Sequence, residues 1–170
     1  MQIITPIITE EVSPKSFASL MDLYEGNYLR LRKLIPNIHE LNGEAVSSVD
    51  GCLDLSLKII ERSKFTTTLS LTYYFDYSGK SRCSPNLQLR IYHDAGLAEA
   101  LCGHLLHGRM RLTCGPDTAM REKWRLNRFL YKWLGYCLHQ GHGFDSKVVD
   151  PIVSECVRKM LHPSAQQIIR

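Results

Sequence analysis

The chain lacks any long apolar run. Its first residues, MQIITPIITEEVSPKSF, have no basic start, and Thr5, Pro6 and Thr9 break up the apolar positions before Glu10 and Glu11. A secretory leader needs an unbroken apolar stretch and a small-residue cleavage site. A membrane-spanning helix needs about 20 apolar residues. Neither pattern is found, so a cytoplasmic protein with no membrane association is expected. The six cysteines, Cys52, Cys83, Cys102, Cys114, Cys137 and Cys156, include no CxxC pair. Structural zinc sites usually draw two ligands from one short turn. Reduced, mostly buried thiols are therefore expected, with no structural disulfide and no bound metal. The chain has no GxSxG elbow, no phosphate-binding Gly loop and no dinucleotide fingerprint. These gaps weigh against common hydrolase, nucleotidase and dehydrogenase classes. No catalytic residue and no cofactor is assigned.

What is present suits one globular domain: 170 residues, 44% hydrophobic and 22% charged, enough to bury a core. The net charge of +4 is uneven. Residues 1–85 carry nine Lys/Arg and ten Asp/Glu, and residues 86–170 carry twelve and seven, so the halves stand at −1 and +5. That basic excess suits an acidic partner but is too small to imply nucleic acid.

Residues 1–15 read as an extended arm. Ser13-Pro14 has the chemistry of a helix opening. Phe17, Met21, Tyr24, Tyr28, Leu31 and Ile35 then recur at helical spacing until Pro36 ends the helix. Val46 to Val49, Asp50-Gly51 and LDLSLKI predict a hairpin with a two-residue turn, in which Leu53, Leu55, Leu57 and Ile59 share a face. In FTTTLSLTYYF, Phe65, Thr67, Leu69, Leu71, Tyr73 and Phe75 share a face, and Leu87, Leu89 and Ile91 alternate with polar residues further on. Residues 94–107 are expected as a short helix and RMRLTC as a short strand. Pro116-Asp117 opens a helix that runs to about Gln140, with Gly141 as its stop. Asp150-Pro151 opens a last amphipathic helix. The fold class is thus α+β: an antiparallel sheet of about four to five strands with N- and C-terminal helices on one face. The expected organisation is an arm over 1–15, a helix–sheet–helix domain over 16–141, and an extension over 142–170.

The 120–138 segment carries most information. At 100° per residue, Leu126, Leu130, Trp133, Leu134 and Cys137 fall on one side, and Arg121, Arg125, Arg128 and Lys132 on the other. The basic stripe suits an acidic protein or phosphates; the plainer reading is a solvated face. Lys123 and Asn127 sit at the edge of the apolar side. A lysine there either snorkels to water or meets a carboxylate, for which Asp94 and Glu99 are candidates. Arg90, Tyr92, His93, Asp94, Glu99, Lys123 and Asn127 form the candidate ligand site, either an architectural clamp or the floor of a binding pocket for a small anion. The polar strand faces, with Lys58, Thr66, Thr68, Ser70, Thr72, Tyr74, Arg90 and Tyr92, suit a groove or a plain solvated surface. His93-Asp94 and the pairs His104/His107 and His139/His142 raise metal chemistry, but Gly141 interrupts the second pair and no general base completes an arrangement.

Four segments, LMDLYEGNYLRLRKLIP at 20–36, ERSKFTTTLSL at 61–71, LRIYHDAGLAEA at 89–100 and EKWRLNRFLYKWLGYCLHQG at 122–141, resemble the YqiB-like bacterial family, a domain of unknown function. They cover most of residues 16–141 in matching order, with Phe65 where tyrosine is expected. The resemblance implies a cytoplasmic bacterial protein with no established activity. It also implies genomic proximity to a cyclic-nucleotide phosphodiesterase and a Nudix pyrophosphatase, a hint of nucleotide metabolism, and it assigns no catalytic residue. The expected function is a non-catalytic ligand- or protein-binding regulatory module. The alternatives are a metal-dependent enzyme or hydrolase acting on a phosphorylated small molecule, and a structural adaptor using the basic helix face.

Overall fold

A computed structural model describes residues 16–77, 80–105, 108–110 and 116–145. The expected N-terminal arm, the Ser13-Pro14 opening and the helix expected from Asp150 lie outside them.

The first helix, α1 (Phe17–Leu34), is capped by Ser16, whose side chain accepts from the Ser19 N–H at 3.1 Å. This satisfies one of the four N–H groups a helix start leaves unpaired. Ile35 closes it, just before Pro36. The buried stripe is Leu20, Tyr24, Asn27, Leu31 and Leu34. It is rotated from the expected one, because Phe17 is 65% exposed and a polar residue, Asn27, lies fully buried within it.

Six strands follow: β1 (Glu44–Ser47), β2 (Leu55–Arg62), β3 (Thr66–Tyr77), β4 (Lys80–Tyr92), β5 (Leu97–Leu105) and β6 (Gly108–Met110). They form one sheet in chain order, and every neighbouring pair is antiparallel. Such a meander needs only short connections. The link between β1 and β2 spans 48–54, longer than the two-residue turn expected at Asp50-Gly51. Cys52 N–H donates to the Val49 carbonyl, so the link contains a turn of its own, with Gly51 at φ +79°. Leu53 belongs to this link and is exposed.

Of the segment expected as a helix, the described residues 94–105 are not helical. Gly96 turns the chain at φ +66°, and β5 then pairs with β4 through Leu89↔Ala100 and Ile91↔Ala98. The helix preference of LAEAL yields to the ladder that β4 offers, and the alanines at 98 and 100 are both fully buried in the core.

The second helix, α2 (Pro116–His139), ends as expected, with Gly141 at φ +88°. Leu126, Leu130, Trp133, Leu134 and Cys137 join Leu31 and Leu34 of α1 over Leu55, Leu57, Leu69, Leu71, Leu87, Leu89 and Ile91 of the sheet. This is the expected α+β core, built from the alternating strand positions and the inward side of both helices. The helices also pack on each other. The Arg30 guanidinium lies 3.5 Å from the centre of the Tyr131 ring and donates to the Tyr131 carbonyl. Gly26 makes room, since a Cβ there would lie 2.8 Å from that ring. Past Gly141 the chain stays in the core: Phe144 is buried, and its N–H donates to the Leu34 carbonyl at 2.8 Å.

Candidate functional site

The ladder from β5 to β6 begins at Gly103, so nearer its start β5 has no strand on its outer side. There α2 supplies the missing partner. Asn127 is fully buried, and its Oδ1 accepts from the Ala100 N–H at 2.9 Å. The same oxygen accepts from Asn27 Nδ2 at 3.3 Å, and Asn127 Nδ2 donates to the Lys123 carbonyl at 2.9 Å. One side chain therefore fixes α2 to both the strand edge and α1. A buried amide is tolerated because its groups are paired.

One residue before Ala100, Glu99 points to the opposite side of β5 and collects three donors. Tyr92 O–H donates to Oε1 at 2.7 Å, Tyr24 O–H to Oε2 at 3.0 Å, and Lys123 Nζ to Oε2 at 3.5 Å. The four groups come from α1, β4, β5 and α2. The Glu99 side chain is 10% exposed and that of Lys123 is 40% exposed. Burial and then the Glu99 carboxylate hold the Tyr24 hydroxyl well above the usual phenol range. Burial, and next the hydrogen bond to Glu99, also raise Tyr92, opposed by the Arg90 guanidinium beside it. Both hydroxyls therefore stay protonated as donors to the carboxylate.

These groups line one end of a cavity of about 500 Å³. Its remaining walls are Phe17, Leu20, Met21, Ala95, Leu97 and Met120. Behind them, Leu20, Tyr24 and Trp124 form a small buried cluster of their own, and Trp124 Nε1 donates to Ser19 Oγ at 2.9 Å. An apolar bowl with a few convergent polar groups is the usual form of a small-molecule site.

Arg90, Tyr92, Glu99, Lys123 and Asn127 thus converge. Arg90 reaches Tyr92 and also donates from Nε to Thr68 Oγ1 at 3.2 Å. Asp94 and His93 do not join them. Asp94 is exposed, and of the two carboxylates offered to Lys123 it is Glu99 that the lysine meets. His93 turns the other way: its Nε2 lies 2.8 Å from Thr67 Oγ1, and its ring is 4.5 Å from that of His39. Burial first, then His39, lowers its pKa. Arg121, Arg125, Arg128 and Lys132 are all exposed on the outer face of α2.

The polar strand face is bonded within itself. Lys58 pairs with Glu44 at 2.8 Å, Ser70 donates to Asn86 and Thr72 to the Pro85 carbonyl, and Thr68 and Thr72 are buried. His139 is exposed, whereas His142 is buried with its Nδ1 3.1 Å from Ser47 Oγ, so those two histidines do not share an environment. His107 lies outside the described residues. Among the described residues no group of three His, Cys, Asp or Glu side chains is placed to hold a metal ion. Cys52, Cys83, Cys102 and Cys137 are free thiols, and burial pushes that of Cys137 up to about 11. No described helix is long and apolar enough to cross a membrane.

Sequence reasoning missed Tyr24 and the apolar walls. Tyr24 lies on the apolar stripe of α1, where its ring satisfies the periodicity and its hydroxyl gives no sign of its partner. Leu97 sits in a segment expected to be helical.

Comparison with known proteins gives three results. The family model described as "Protein of unknown function (DUF1249)" matches residues 30–143. The Uncharacterized protein YqiB of Escherichia coli strain K12 is 30% identical over 128 residues, covering 74% of this chain and 90% of that protein. The YqiB proteins of strains O6:H1 and O157:H7 give the same identity and coverage. No solved structure matches.

Proposed function

Because the chain belongs to the DUF1249 family, whose function is unknown, its activity has to be read from the site itself, and we propose that it is a non-catalytic binding module that takes a small amphipathic molecule in the cavity beside β5. One observation carries this reading: a nearly buried carboxylate, held by three donors from three other elements, forms the polar end of an otherwise apolar cavity of about 500 Å³. That volume lies in the range of small-molecule pockets. As a clamp alone, Glu99 would have no need of an open apolar bowl beside it. The cytoplasmic, regulatory setting expected from the sequence is part of this proposal.

The test is thermal unfolding of the full chain with 1-octanol, an uncharged probe that fits the walls. A ligand that binds only the folded state raises the melting temperature by mass action. The reading predicts a saturable rise in the natural protein and none in Met21→Trp, where the larger ring fills the bowl. No shift in the natural protein, or an equal shift in both, contradicts it. A second reading is favoured by the outer face of α2, where Arg121, Arg125, Arg128 and Lys132 are exposed together: docking of an acidic protein. Reversing Arg125 and Arg128 to Glu would abolish such docking and leave octanol binding intact.

A further inference from the structure

Resting on the cavity reading above, we infer that the ligand is an amphipathic monoanion, with its charged head on Lys123 Nζ and its apolar body against Phe17, Met21, Leu97 and Met120. The Glu99 carboxylate already accepts from Tyr24, Tyr92 and Lys123, and its side chain is 10% exposed. Both tyrosine hydroxyl protons are spent on Glu99, so those oxygens offer only lone pairs. Lys123 differs. An ammonium has three N–H donors, its contact with Glu99 is long at 3.5 Å, and its side chain is 40% exposed. It is the more exposed of the two charged groups that line the cavity, and it can turn toward an incoming head on a flexible stem.

Charge balance points the same way. Among the lining residues Glu99 and Lys123 are the charged pair and cancel, and the Arg90 guanidinium, outside the lining but beside the Tyr92 hydroxyl, adds positive charge behind that end. A single negative head neutralises it. A cationic head would face the Lys123 ammonium while the Glu99 carboxylate is already taken by three donors, and a dianion would leave excess negative charge next to Glu99. The walls exclude a ligand that is polar throughout, because burying polar groups against methionine and leucine leaves their hydrogen bonds unmade.

The experiment is titration calorimetry of the full chain at pH 7 with four probes of equal chain length: octanoate, octyl sulfate, 1-octanol and octylamine. At least one of the two monoanions should bind about fivefold more tightly than octanol, the size of a partly exposed charge contact. Whichever exceeds octanol tells a carboxylate head from a sulfate or phosphodiester head of the same charge. In Lys123→Met, its fold checked by circular dichroism, that advantage over octanol should vanish; Lys123→Arg should keep it. If neither monoanion exceeds octanol, or if octylamine binds best, the monoanion is ruled out and the cavity reading survives. If no probe binds saturably, both fail.

Discussion

Glu99 and Lys123 show how exposure decides what an ion pair is worth. A lysine on the inward edge of α2 would cost several kcal/mol to remove if its partner were left buried and unpaired. Here Lys123 is 40% exposed, and Glu99 keeps both tyrosine donors when the lysine is gone. Lys123→Met should therefore destabilise by about 1 kcal/mol or less. Glu99→Gln should cost more, about 2 kcal/mol, because an amide nitrogen replaces one acceptor oxygen and leaves a hydroxyl without its charged partner. Urea unfolding of the two single variants and the double variant should give a coupling of about 0.5–1 kcal/mol. Asp94→Asn should show none with Lys123→Met, and a coupling there would place the lysine elsewhere. The sequence disclosed this pair because a charged residue interrupted an apolar helical side. It did not disclose Tyr24, whose ring obeys the same periodicity as its leucine neighbours.

At the scale of elements, the joint between α2 and β5 is the least legible part of the fold and the one on which the site depends. LAEAL has helix-forming composition, so local preference argues against the strand it becomes. Pairing with β4 decides the matter, and no local pattern announces that pairing. Asn127 was visible as an odd polar residue on an apolar edge, but its role as acceptor for the Ala100 N–H requires knowing that β5 is a strand. Asn127→Ala would leave that N–H unpaired in a buried setting, and would leave Asn27 Nδ2 only its long 3.5 Å contact with the carbonyl of residue 127. The expected cost is about 2–4 kcal/mol, measurable by urea unfolding. A loss under 0.5 kcal/mol would mean that the strand edge is held by something else. By contrast, the apolar positions of β2, β3, the 87–92 part of β4 and α2 follow from alternation and helical spacing, and α1 does too except that its buried stripe is rotated.

Over the whole molecule, the sequence marks the core positions of β2 to β4 and α2, whereas Leu34, Ile38, Leu41, Ala98, Ala100 and Phe144 join the core unannounced, and several buried polar side chains tie the elements together. His142 is one: it packs against Ser47 and the Tyr73 ring, and burial lowers its pKa. His93 is lowered as well. For a group depressed below its unfolded value, the unfolded chain takes up protons first as the pH falls. Stability from the neutral histidines is thus fully present above the unfolded value of about 6.5, and is lost as the pH drops below it toward their folded values. Urea midpoints should fall between pH 7.5 and pH 5.5, and fall less in the His93→Gln/His142→Gln double variant. An equal fall in both proteins would assign the effect to other groups. The His93 ring faces Thr67 and His39 and neither histidine lines the cavity, so its ligand should stabilise the natural protein and the double variant alike at pH 7.5.

The central claim is that the bowl between α1, α2 and the edge of β5 is where this protein binds its ligand. Titrating isotope-labelled full-length protein with octanoate, followed by amide chemical shifts, tests it most directly. The account predicts saturable shifts concentrated at Met21, Tyr24, Tyr92, Leu97, Glu99 and Lys123. Shifts confined to Arg121, Arg125, Arg128 and Lys132 on the outer face of α2, or no saturable shift at all, would contradict it.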